Sequence, residues 1–147
     1  MIFLVIVLLT HFILRNTVFG KRVYSIGGNE NAAIVCGINV ELNKILIYTY
    51  SSVLTAIGAI ILTARIGAGT PTSGTGYELD AIASCVIGGT SMAGGIGTAI
   101  GTVIGALIIA VLNNGLDLMG VSPYWQQVFK GVIIVAAVIM DVNKKRK

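Results

Sequence analysis

The sequence predicts an all-α integral membrane protein of about five transmembrane helices, the first truncated and the third short and glycine-broken. A short extra helix lies on the cytoplasmic side. Three observations carry this. Hydrophobic residues make up 55% of the chain and charged residues 11%, against about 25% charged in soluble domains; the mean hydropathy is +0.90. Apolar runs of bilayer length are bracketed by basic residues, as in 45–64 between Lys44 and Arg65. Nineteen glycines against two prolines suit membrane helices that pack through small residues. The net charge of +4 sits beside the apolar runs as topology signals do, so the partner is a lipid bilayer and not nucleic acid.

Residues 1–14 are apolar apart from Thr10 and His11. A full span needs about 20 residues, so the abrupt start predicts a span cut short and a chain that is a piece of a longer protein. His11 falls near its inner end, as a tolerated interfacial histidine or a proton relay. No charged n-region precedes 2–9 and no small-x-small site follows, which argues against a signal peptide.

Residues 15–44 carry Arg15, Lys21, Arg22 and Lys44 against Glu30 and Glu41, an excess that places this loop in the cytoplasm. Its centre is 24–40, YSIGGNENAAIVCGINV. Asn29 can cap a helix start, and Glu30 suits the positive end of the dipole. Ala32 and Ala33 are strong helix formers, and Gly37 supplies a left-handed stop. The result is a helix of roughly two turns, about 30–36, marginal alone in water and far too short to cross a bilayer. Flanking spans or a docked partner must hold it. The small surface at Ala32, Ala33 and Gly37 would admit another protein closely, so this is where the protein is gripped from the cytoplasm.

The run 45–64 covers about 30 Å, one hydrocarbon core. Ser51, Thr55, Gly58 and Ala59 give it a small-residue stripe suited to helix contact, and Tyr48 and Tyr50 mark its inner end. Residues 66–79, IGAGTPTSGTGYEL, hold Pro71 and no basic residue, and read as an external loop with Tyr77 at the interface. The next stretch, 80–95, is apolar to Gly88 and then GGTSMAGG, either a short span or a re-entrant loop. A cytoplasmic Lys144, Lys145, Arg146 and Lys147 requires three further crossings, so about 78–92 is a short span. Glycine-broken backbone at that depth must pack in protein or line a cavity.

In 96–112, Gly97, Gly101 and Gly105 form a doubled G-x-x-x-G flanked by Thr98 and Thr102, a groove for a neighbouring helix. Residues 113–123, NNGLDLMGVSP, are an external loop. The last span, 124–140, has Tyr124 and Trp125 as outer anchor. Gln126, Gln127 and Lys130 share one of its faces. An intramembrane lysine is expensive: Lys130 pairs inside the bundle with Asp117 or Asp80, snorkels, or meets substrate directly. The spans are thus 1–14, 45–64, 78–92, 96–112 and 124–140.

Catalytic signatures are missing. The glycine runs at 67–76 and 88–97 lack the lysine and strand-to-helix setting of a phosphate loop. A single histidine builds no histidine metal site, and Ser84 and Ser91 have no base in their segment. Cys36 and Cys85 read as free small side chains. The chain is not an enzyme and binds no metal.

At 27–37, GGNENAAIVCG, the sequence resembles the cytoplasmic coupling loop of bacterial ABC importer permeases, with Asn31 in place of their glutamate. GTGYELDAIA (74–83), IGGTSMAGG (87–95) and IGTVIGALIIAVLNNGL (100–116) are more specific. Together these closely resemble the permease subunit of ribose-type sugar importers, over the C-terminal half of that family's chain. The resemblance implies a bacterial inner-membrane subunit with no cofactor of its own, ATP being hydrolysed by a partner. A second permease copy, an ABC ATPase subunit and an extracytoplasmic sugar-binding protein complete the assembly. Gly28, Asn29, Glu30, Ala32, Ala33 and Gly37 would then form the ATPase-coupling loop. Ile96 stands where many relatives carry a basic residue, which removes any charge at that turn.

A neutral sugar calls for hydroxyl-matching groups within a preformed cavity, which makes Thr90, Ser91, Asn113, Asn114 and Lys130 candidates for the translocation pathway. Turn and cap roles explain the first four as readily. Three rivals stand beside transport: a non-transporting scaffold, a small channel, and a truncated permease without function.

Overall fold

The structure, a computed structural model, describes residues 1–70 and 72–145. Pro71, Arg146 and Lys147, and the side chains of Met140, Val142, Asn143, Lys144 and Lys145, lie outside the described residues. Among the described residues the fold is all-helical: α1 (Ile2–Asn16), α2 (Val18–Gly28), α3 (Glu30–Val35), α4 (Val40–Ile66), α5 (Tyr77–Ile87), α6 (Ala99–Leu118) and α7 (Pro123–Lys145).

The first correction is α2, which the reading of 15–44 as a loop with one short helix omits. Thr17 makes it possible. Its backbone is extended, its hydroxyl donates to the Ile13 carbonyl at 2.6 Å, and its oxygen accepts the Gly20 amide at 3.2 Å. One residue thus ends α1 and caps α2. The chain turns by 73° between them, and α2 buries Ile26 against α3 and α4.

Helix α4 starts five residues before 45–64 because Asn39 caps it, accepting the Leu42 amide at 3.1 Å. The extra turn buries Val40 and Asn43. Ile26, Ala33, Val40 and half-buried Ile38 form a small apolar cluster that seats α3 on α2 and α4. Beyond it no residue of α4 is fully buried: Ile47, Tyr50, Leu54 and Ile57 are half-buried, Ser51, Thr55, Gly58 and Ala59 are exposed, and nothing lies within 4 Å of a Cβ placed on Gly58. The stripe at Ser51, Thr55, Gly58 and Ala59 therefore has no neighbour among the described residues.

Helices α5, α6 and α7 form the second unit. Gly88 meets Gly101 and Ser84 meets Gly105, which runs α5 antiparallel to α6. Asp80 meets Lys130 and Ser91 meets Asp141, which runs α5 parallel to α7. Their ends differ from expectation. Helix α6 begins at Ala99, where Thr98 accepts the Gly101 amide at 3.0 Å, and runs on through Asn113 and Asn114 to Leu118. The expected external loop at 113–123 is thus largely helix. Helix α5 stops at Ile87, so the stretch 88–98 is non-helical.

Helices α4 and α6 are each long and apolar enough to cross a membrane, and α1 with α2 makes a third candidate if the bent pair is one span. Helix α5 has 11 residues, about 16 Å, half a bilayer. Its path continues in non-helical form to Ser91. Val111, Leu107 and Ile60 are among the many large apolar side chains left exposed, as suits a lipid-facing surface.

Candidate functional site

One end of the molecule gathers the features that chemistry can use. The end of α1 with Arg15, the helix α2 with Lys21 and Arg22, the start of α4 with Lys44, the loop 88–98 and the C-terminal end of α7 all meet there. Arg65, at the far end of α4, and Lys130, paired with Asp80 at the start of α5, are not part of it.

At this end α3 is built as its sequence demands. The Asn29 side chain accepts the Ala32 amide at 3.0 Å. Gly37, at φ 78°, turns the chain back, and the Gly37 and Ile38 amides donate to the Ile34 and Ala33 carbonyls, the left-handed stop that glycine takes without strain. The Lys44 ammonium sits 2.7 Å from the Glu30 carboxylate, tying the start of α3 to α4 through an exposed pair worth under about 1 kcal/mol.

The small surface expected at Ala32, Ala33 and Gly37 divides. Ala33 is 3% exposed, turned inward onto Ile26 and Val40, because a short helix holds its place only by burying one stripe. Ala32 and Gly37 stay open, with Gly28, Asn29 and Glu30. Beside them lie two apolar side chains the sequence reading passed over, Ile34 at 55% and Val35 at 87% exposure. The signal was present: two β-branched residues in a polar segment, with only one stripe of the helix to hide.

On α2, the helix before α3, a cavity of about 530 Å³ opens between α1, α2, α6 and the loop 88–98. Its walls are apolar, from Phe3, Ile6, Val103 and Ala106, with hydroxyls of Thr10, Tyr24, Thr90, Ser91, Thr98 and Thr102 among them and no charged residue. Thr10 shares a 2.7 Å hydrogen bond with Tyr50 of α4. Thr90 and Ser91 come together here. Gly97 packs against Thr90, while Gly101 and Gly105 admit the Gly88 and Ser84 carbonyls.

Asn113 and Lys130 meet elsewhere. The Lys130 ammonium lies 2.6 Å from Asp80 Oδ1, and the Asn113 amide donates to Asp80 Oδ2 at 3.3 Å. One turn along, buried Gln126 donates to Asp117 at 2.7 Å and to the Val121 carbonyl at 3.0 Å. Of the two acids open to Lys130, Asp80 takes it and Asp117 goes to Gln126. Asn114 is exposed. The five pathway candidates thus fall into two places, the cavity and a polar cluster joining α5, α6 and α7, with Asn114 in neither. Among the described residues no group of His, Cys, Asp and Glu is placed to hold a metal.

Residues 1–138 match the family described as branched-chain amino acid transport system / permease component. The chain belongs to this permease family. Among curated relatives of the permease, the xylose transport system permease protein XylH of Haemophilus influenzae is 50% identical over 97% of the chain and 38% of its own length. The ribose import permease protein RbsC of Bacillus subtilis is 50% identical over 90% of the chain and 41% of its own length. RbsC of Escherichia coli is 49% identical over 97% and 44%. The chain spans less than half the length of these relatives. They are transport permeases and not enzymes, and the ribose-type resemblance in the sequence holds at family level. No solved structure matches.

Proposed function

We propose that this chain is the part of an ATP-driven sugar permease that receives the motion of a cytoplasmic ATPase and passes it to the translocation pathway. Relatives named for ribose and xylose support a five-carbon sugar as the cargo. The observation that carries the reading is α3. It is a capped, internally seated helix at the basic end of the molecule, presenting Ile34 and Val35 outward and joined to α4 by four residues. Exposed apolar residues on a polar, basic face suit a docked protein partner.

With that end in the cytoplasm, the C-terminus is cytoplasmic too, and five crossings follow if α1, α4, α5 with its non-helical continuation, α6 and α7 each count once. The cavity suits an uncharged, hydroxyl-rich ligand: its volume lies in the usual range for small-molecule sites, and its polar groups are hydroxyls. A second permease copy supplies the opposite wall and an extracytoplasmic binding protein the sugar. Close glycine contacts between α5 and α6 permit the sliding that alternating access needs.

The test is uptake of radiolabelled D-ribose and D-xylose into proteoliposomes holding the full-length permease that carries this sequence, its ATPase and its binding protein. Uptake of one sugar that requires hydrolysable ATP is expected. Equal uptake without ATP, or none of either sugar with active ATPase present, contradicts the proposal.

A further inference from the structure

Motion of α3 reaches α4 through the chain itself, but a second connection is built into this end. The last turn of α2 lies backbone to backbone on the loop 88–98. A Cβ on Gly27 would fall 2.8 Å from the Gly95 amide nitrogen, and one on Gly95 2.8 Å from the Gly28 Cα. Gly94, at φ 87°, brings its own Cα against the Gly27 carbonyl, where any side chain would overlap. One turn earlier on α2, the half-buried Tyr24 hydroxyl donates to the Gly97 carbonyl at 2.8 Å. On the loop's other flank buried Ser91 donates to Asp141 of α7 at 2.7 Å. The loop then runs straight into the Thr98 cap of α6.

The geometry points to Tyr24 as a positioning residue: with the seat of Gly27 on Gly94 and Gly95, its hydroxyl latches α2 to the loop 88–98. Displacement of the α2–α3 segment then carries the start of α6 with it and moves one wall of the cavity. Two features give the latch its stiffness. Backbone lies directly on backbone there, and the Tyr24 hydrogen bond pins the contact against the sliding that glycine faces alone would allow. The hydrogen bond fixes the direction, since it joins residues 24 and 97 across the cavity wall that both help to form. The inference rests on the reading of α3 as the point where an ATPase acts.

Tyr24→Phe removes one oxygen and keeps the ring. Tyr124→Phe, on an exposed side chain at the start of α7 and outside the cavity, is the matched control outside the latch. Both are made in the full-length permease carrying this sequence, reconstituted with its ATPase. Two quantities are measured: backbone hydrogen exchange over 88–98, and D-ribose or D-xylose moved per ATP hydrolysed. The latch predicts that Tyr24→Phe speeds exchange over 88–98 about five-fold, the equilibrium worth of one ordinary hydrogen bond, and lowers sugar moved per ATP with membrane abundance unchanged. Tyr124→Phe leaves both alone. Unchanged exchange in Tyr24→Phe overturns the latch. Faster exchange with an unchanged sugar-to-ATP ratio overturns its role in transmission. If the unsubstituted protein moves no sugar with ATP, the functional reading falls and transmission with it, while the exchange measurement still decides whether the latch exists.

Discussion

Replacing Lys130 with Met leaves the Asp80 carboxylate between three helices with only the Asn113 amide, 3.3 Å away, to answer it. Breaking a fully buried pair from one side costs about 3–5 kcal/mol. Here the side chains keep 13% and 24% of their exposure, which brings the cost of Lys130→Met to about 2 kcal/mol. Asp80→Asn strands a lysine instead. A lysine stem can extend toward the interface, so that change costs about 1.5 kcal/mol. Carrying both substitutions removes both charges and costs about 1 kcal/mol, because a neutral replacement of an ion pair is often tolerated. The singles sum to about 3.5 kcal/mol, so the cycle shows a coupling of about 2.5 kcal/mol. The assay is denaturation of the purified protein in mixed detergent micelles, followed by helical circular dichroism. Additivity of the two substitutions within about 0.5 kcal/mol would falsify the claim that Asp80 and Lys130 hold α5 and α7 together.

Three further substitutions test the packing and the docking face. Gly101→Leu puts a branched chain where a Cβ already overlaps the Gly88 carbonyl and lies 2.8 Å from the Thr98 hydroxyl; a cost of about 3 kcal/mol should remove most of the protein from the membrane fraction, and normal abundance on immunoblots would count against the packing. Val35→Asp, on an exposed side chain, should leave helix content and abundance intact while abolishing ATP-driven uptake, whereas Ala33→Asp, in the buried cluster, should lower stability as well. Equal effects of the two on stability would contradict the inward placement of Ala33.

Much of this fold could be read from residue chemistry, and the failures have physical causes. Asn29, Glu30 and Gly37 act through local backbone geometry, so the position of α3 was legible to within a residue of its observed end. Of the doubled G-x-x-x-G, Gly101 and Gly105 meet the Ser84–Gly88 end of α5, a partner the spacing does not name, while Gly97 falls before α6 in the loop 88–98 and packs on Thr90. Helix α2 was hidden because Thr17 serves two helices at once, and its glycines and charges read as loop. The extension of α6 through Asn113 and Asn114 was missed for a related reason: Asn-Asn-Gly is turn chemistry locally. Packing overrode it, since Asn113 finds Asp80 from a helical position. Separation of the pathway candidates into cavity and polar cluster depends on which helices neighbour one another, and spacing along the chain carries no such information.

Cys36 offers the most direct measurement, being an exposed native thiol at the end of α3. With Cys85 and any cysteine of the full-length permease outside this sequence replaced by Ala, a membrane-impermeant maleimide should label Cys36 in inside-out vesicles of cells expressing that permease and leave it untouched in right-side-out vesicles. Labelling from the outer face alone would put α3 on the wrong side of the membrane for any ATPase to reach.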